Sequence, residues 1–150
     1  MANSQALATS FKVELLNGHH AFGTSVVRAA TTKDDYKAAL FYASASLGAA
    51  TTAYSTTGEV VDASYTAGGV AVTNATAPTS SGTTAFWTPS AAFSWTTLTA
   101  AAFDAVLLYN STQSNKAVGV FTFGSQSVTA GNFSLNQPTN DSSNALIRLT

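Results

Sequence analysis

The stretch DAVLLYNSTQSNKAVGVFTF, residues 104–123, constrains this chain more than any other. Two apolar runs flank a polar loop, and each run alternates with the period of a strand. Leu107 and Tyr109 share one face, with Val106 and Leu108 on the other. Beyond the loop, Val118 and Val120 lie on one side while Phe121 and Phe123 share the opposite one. A strand that is apolar on both faces must be covered on both, so the segment reads as a core hairpin. The side chains of NSTQSN are of the kind that hydrogen-bond their own backbone in turns, although the loop is longer than a tight hairpin needs.

The same period recurs elsewhere. In DDYKAALFYAS, Tyr36, Ala38, Leu40 and Tyr42 alternate with Lys37, Ala39 and Phe41, so both faces are largely apolar and a central strand is predicted. From residue 51 onward short β-runs are separated by Gly, Asn, Ser and Pro. GGVAVTNAT is entered through Gly68 and Gly69, TTAFWT stops at Pro89, and AAFSWTT puts Phe93 and Trp95 on one face. Further runs cover residues 101–109, 116–123, 132–135 and 145–149. Short strands so spaced predict a mainly β protein, an antiparallel β-sandwich or jelly-roll-like domain.

The exception is the start of the chain. In SQALATSFKVELLNG, Leu7, Phe11 and Leu15 fall four apart, with Ala8 and Leu16 flanking the same face. Asn3 or Ser4 can cap this segment and Gly18 can end it, which predicts one short N-terminal α-helix. Such a helix is too short to stand alone and must dock through Phe11, Leu15 and Leu16, on its own core or on a partner. The expected organisation is a single domain, 1–150, made of a helical arm, 1–18, and a β-domain, 33–150.

Composition narrows the function classes. A chain of 150 residues buries about 68–70% of the surface its unfolded form exposes, so no covalent staple is required. There is no cysteine, which excludes disulfides, thiolate zinc sites and a Cys nucleophile. Charged residues make up 9%, against about a quarter in ordinary domains. With a net charge of −1 and no basic cluster, nucleic acid is not an expected partner. A surface this poor in charge is weakly protected against association, which is tolerable where partners cover it. Residues 1–10 hold no long apolar stretch, so a signal peptide is not expected. The longest apolar run, 100–109, is broken by Asp104 and falls far short of a membrane span.

Reactive side chains are few. His19 and His20 are adjacent, so their side chains diverge on a strand or a helix, and they read as an exposed or interface pair rather than a metal site. Asp34 and Asp35, beside Lys33 and Lys37, read as a solvated charged turn. Glu14, Glu59, Asp62, Asp104 and Asp141 are scattered, and neither a nucleophile elbow nor a phosphate-cradling loop occurs. No catalytic residue, metal or cofactor is therefore expected. Asn74, Asn110, Asn132 and Asn140 begin glycosylation triplets, as chance supplies in a chain this rich in Asn, Ser and Thr. Phe86, Trp87, Phe93 and Trp95 cluster around Pro89. They are either core side chains or, at Trp87 and Trp95, anchors of an interface or a carbohydrate.

The order of these segments has a family likeness. TSFKVELLNGHHAFG followed by YKAALFYASASLGAATTAYSTTGEV resembles the start of small structural proteins of tailed bacteriophages. YTAGGVAVTN resembles that family's glycine-pair strand, and FDAVLLYNST, NKAVGVFTFG and TNDSSNALIRLT resemble its later strands and terminus. The resemblance implies a virion component rather than an enzyme: a capsid decoration or cement protein, made in the host cytoplasm and seated on the head. Its implied partners are the major capsid protein and copies of itself, as a dimer or trimer. The segment AFWTPSAAFSWTT departs from the pattern, so the resemblance says nothing of Trp87 and Trp95. The alternative is a tail- or fibre-associated module that recognises host-surface carbohydrate through those tryptophans. A third reading, from another class, is a small hydrolase using His19 or His20.

Overall fold

The computed structural model describes residues 2–8, 11, 15, 19–23 and 33–149. The protein is mainly β, with 47% of the described residues in strands and 4% helical, and its sheets are antiparallel. The strands are β1 (Ala6–Leu7), β2 (Tyr36–Tyr42), β3 (Val70–Ala71), β4 (Thr79–Ser81), β5 (Thr84–Trp87), β6 (Phe93–Asn110), β7 (Lys116–Leu135) and β8 (Ile147–Leu149). They form a five-stranded sheet in the order β1-β7-β6-β2-β3 and a three-stranded sheet in the order β4-β5-β8.

The hairpin of residues 104–123 is real, and it is the proximal part of something longer. β6 and β7 pair from Asn110↔Lys116 to Phe93↔Leu135, with register shifts along the way, among them one between Phe103↔Gln126 and Ala105↔Thr122. The runs expected at 101–109, 116–123 and 132–135 therefore merge into two long strands. Their turn is organised by Asn110, whose Oδ1 accepts from the N–H groups of Thr112 at 3.1 Å and Gln113 at 3.0 Å. Ser114 and Asn115 complete it in the left-handed region. The side chain-to-backbone turn chemistry expected of NSTQSN is thus what closes the hairpin.

β2 lies between β6 and β3, and Ala38, Ala39 and Leu40 are wholly buried. Both faces of the strand meet protein, as its two apolar sides require. Next to it the strand expected from GGVAVTNAT contracts to Val70–Ala71. Gly69, at φ +73°, brings its backbone so close to β2 that a Cβ would lie 1.9 Å from the Ala38 carbonyl oxygen. Gly69→Ala therefore forces β3 away from β2. We expect a loss of about 3 kcal/mol, the sum of left-handed strain and overpacking, in a urea titration.

The N-terminus departs from expectation. Ala6 and Leu7 form a strand on the edge of β7, paired with Val120 and Gly119, so the front of the expected helix is extended. Gly119 permits this approach, since a Cβ there would already press on the Ala6 carbonyl at 3.3 Å. An open strand edge offers ladder hydrogen bonds that a marginal short helix does not match. Phe11 and Leu15 have helical backbone, while the remainder of the expected helix, Leu16 included, lies outside the described residues.

One apolar cluster runs from Ala8 to Ile147. Phe22 ties the two sheets within it, stacking on Tyr36 of β2 at 4.8 Å and meeting Trp87 of β5 at the same centroid distance.

Candidate functional site

The distal half of the β6–β7 ribbon, residues 93–102 with 124–135, is the most unusual surface of the molecule. Its inner side carries Phe93, Trp95, Leu98, Ala100 and Phe103, all buried. Strict alternation would have put Leu98 and Ala100 on the outer face. Two bulges restore the phase: Thr97 and Ala102, five residues apart, have φ of 58° and 57° and slip the register between Trp95 and Leu98 and between Ala100 and Phe103. A left-handed β-branched residue is strained, so its backbone must be held. The Thr97 N–H donates to Asn132 Oδ1 at 3.3 Å and the Ala102 N–H to Ser127 Oγ at 3.2 Å. On β7, Ala130 (φ 46°) is left-handed too, and its N–H donates to Thr99 Oγ1 at 3.0 Å. Side chains of the facing strand thus cap every left-handed N–H of the ribbon.

The consequence is an outer face of Ser94, Thr96, Thr97, Thr99, Ala101 and Ala102 beside Ser127 and Thr129, all exposed. No charged side chain occurs between residues 63 and 103 or between 117 and 140. Beneath this face Phe103, Phe123 and Phe133 pack with centroids 4.9 to 6.1 Å apart, and Trp95 adds its ring to Phe133 at 5.9 Å.

Two buried polar clusters are the remaining candidates. Glu59, only 3% exposed, accepts from Tyr54 Oη at 2.6 Å, Tyr65 Oη at 2.8 Å and the Gly68 N–H at 2.7 Å. Tyr65 Oη in turn accepts from the Leu40 N–H at 3.0 Å, and the Val60 N–H donates to the Leu40 carbonyl at 2.9 Å. The cluster therefore seals the edge of β2 where β3 ends. Burial, and after it the Glu59 hydrogen bond and charge, push the Tyr54 hydroxyl up; burial and then the Glu59 charge do so for Tyr65. Tyr109, which donates to the Gly68 carbonyl at 2.8 Å, is raised to about 12, first by burial and then by Glu59.

The sign of the pH effect follows. These folded-state values lie above the ordinary 10.0, so the unfolded chain releases the protons first. The stabilisation is whole below pH 10 and is lost as the pH rises through the folded values. Melting temperature should fall steeply between about pH 10 and 12, and the NMR signals of Tyr54, Tyr65 and Tyr109 should show tyrosinate only as the fold melts. Tyrosinate forming at these three positions in the intact fold from pH 10 would contradict this.

In the second cluster, Asp34 accepts from Asn110 Nδ2 at 2.8 Å, Gln113 Nε2 at 3.1 Å and the Ala21 N–H at 3.2 Å. His20 Nδ1 lies 3.2 Å from Asn110 Nδ2. His20, Asp34 and Asn110 are all buried, which corrects the expected exposed or interface pair at His20 and the expected solvated turn at Asp34; Lys33 and Asp35 of that turn are exposed. The arrangement fastens the chain around residue 20 to the foot of β2 and to the hairpin turn. Asn74 and Asn110 are likewise interior, so neither triplet presents its asparagine to solvent.

The expected interface residues are distributed differently. Trp87 is 2% exposed, and its Nε1 donates to Asn74 Oδ1 at 3.1 Å and the Thr76 carbonyl at 2.9 Å. Trp95 is 5% exposed. Phe11 is fully buried against His20 and Phe22, and Leu15 packs half-buried on the same core. These four serve the interior, because each ring or branched side chain finds apolar neighbours within its own chain. Sequence reasoning passed over Glu59, a lone acid among scattered ones, and the ribbon bulges. For the bulges a signal exists: apolar residues at 93, 95, 98, 100, 103 and 105 repeat every five positions. Compared with protein families, curated proteins and solved structures, the chain gives no match.

Proposed function

We propose that this chain is a virion structural protein of a tailed bacteriophage, a capsid decoration or cement protein that binds the outside of the head and stabilises capsomer contacts. The reading takes its fold as a small antiparallel β-sandwich of jelly-roll-like kind. Its partners are the major capsid protein and copies of itself, and it needs no catalytic residue or cofactor.

The observation that carries this reading is the exposed, charge-free, hydroxyl-rich face of the β6–β7 ribbon. Covering a charge costs several kcal/mol unless it is paired, whereas Ser, Thr and Ala are covered at little expense once their hydroxyls find partners. Such a face suits repeated contact with a large assembly, and the ordered resemblance to phage structural proteins points the same way. A subunit that binds the assembled shell but not its separated capsomers stabilises the shell by mass action, and many weak copies suffice. The carbohydrate alternative has lost its platform, since neither Trp87 nor Trp95 exposes a ring.

Immunogold labelling of intact particles tests the proposal. Label over the head surface is the expected result, and label confined to the tail tip would overturn it.

A further inference from the structure

We propose that the cleft between the N-terminal strand and the C-terminal segment binds an extended peptide that carries a carboxylate, its main chain along the open side of β1 and its carboxylate on Arg148. The inference is independent of the cement reading. The cleft has a volume of about 450 Å³, and its walls include Gln5 and Leu7, Phe121 of β7, and Asn144, Leu146 and Arg148. Apolar walls with a few convergent polar groups, at this size, are the usual make-up of a ligand site.

The pairing of β1 decides which of its main-chain groups are left over. The Ala8 N–H donates to the Val118 carbonyl, and Ala6 stands opposite Val120 two residues along. In an antiparallel ladder hydrogen-bonded and non-hydrogen-bonded pairs alternate, so Leu7↔Gly119, between these two, is a non-hydrogen-bonded pair. The Leu7 N–H and C=O therefore point away from β7, and neither has a partner among the described residues. A strand added on that side uses both groups and sets every second side chain on the face of Leu7.

Charge selects the occupant. Arg148 is the only charged side chain among the described walls, and no described carboxylate forms an ion pair with it. Its Nη1 donates to the Ser143 carbonyl at 2.5 Å, which holds the guanidinium and leaves its other N–H groups for a carboxylate. The nearby Asp141 carboxylate is engaged in its own turn, accepting from the Ser143 N–H at 2.8 Å and the Asn144 N–H at 2.7 Å. Asn144 Nδ2 also donates to Asp141, at 3.0 and 2.9 Å, so Asn144 Oδ1 is left as an acceptor.

The cleft thus offers a cation for a carboxylate, acceptors at Leu7 and Asn144 for amide N–H groups, and a donor at Leu7 for a carbonyl. That set complements a peptide. A sugar acid would use the cation and leave the side of the strand bare.

Nuclear magnetic resonance of the full chain, with acetyl-Val-Thr-Val-Thr-Val as the probe, tests this. Binding should be weak, with a Kd of about 1 mM, because the ladder is short. The amide signals of Gln5, Leu7, Phe121 and residues 144–148 should shift, and exchange of the Leu7 amide should slow. Amidating the C-terminus of the probe, or Arg148→Gln in the protein, should each weaken binding about tenfold, as loss of one charge-assisted contact does. No shift at about 10 mM probe, equal binding of the amidated probe, or an R148Q variant of unchanged affinity would each overturn the proposal. So would acetate or glucuronate reproducing the whole pattern, Leu7 included, since the cleft would then recognise a carboxylate and no main chain.

Discussion

Phe103→Ala should lower stability by about 3–5 kcal/mol, the range for emptying a well-packed aromatic site. Phe103 is fully buried and stands where β6 changes company. Toward Asn110 the strand is flanked by β2 as well as β7, and from Phe103 outward only β7 remains, with Tyr42↔Phe103 the last β2 pair. Its ring meets Phe133 edge-on at 4.9 Å and Phe123 at 6.1 Å. Those two rings are only half-buried, so Phe103 is the fixed member on which the ribbon's aromatics settle. A two-stranded ribbon is marginal by itself, and without this anchor its distal half should fray. Chemical denaturation should show the loss, and amide exchange should rise selectively at 94–101 and 124–134. A change below about 1 kcal/mol would mean that the ribbon does not depend on this packing.

The second large effect belongs to Glu59. Glu59→Ala removes the acceptor of two tyrosine hydroxyls and one backbone N–H, all within 2.8 Å. Each donor left unpaired in the interior costs about 1–3 kcal/mol, and water entering the gap recovers part of it, so we expect about 3–4 kcal/mol in total. At 2–4 °C per kcal/mol for a chain of this size, the melting temperature should drop by roughly 10 °C. Glu59→Gln is the informative companion. It preserves volume and one carbonyl acceptor but offers an amide donor to the remaining partners, so it should lie between wild type and alanine. Equal losses for Gln and Ala would show that charge, not hydrogen-bond count, holds the segment against β2.

The hairpin, the central strand β2 and the turn at Asn110 were legible because alternation and turn chemistry are relations between near neighbours in the chain. The glycine pair was legible for the same reason: Gly68 and Gly69 do adopt positive φ, at 91° and 73°. The ribbon was half-legible. Its bulges shift the alternation by one residue, so a reader following strict period two sees broken runs where the backbone is continuous.

What the chain settled by itself was the antiparallel β class and the scarcity of reactive side chains, since composition and short-range periodicity suffice for both. Only the tertiary structure decided where individual side chains went. Trp87 is interior because Asn74 and Thr76 receive its indole N–H, Glu59 is interior because two tyrosines and a glycine amide converge on it, and Ala6–Leu7 is extended because β7 offers an edge. Burial and pairing depend on groups brought together from far along the chain, and local pattern carries no record of that meeting.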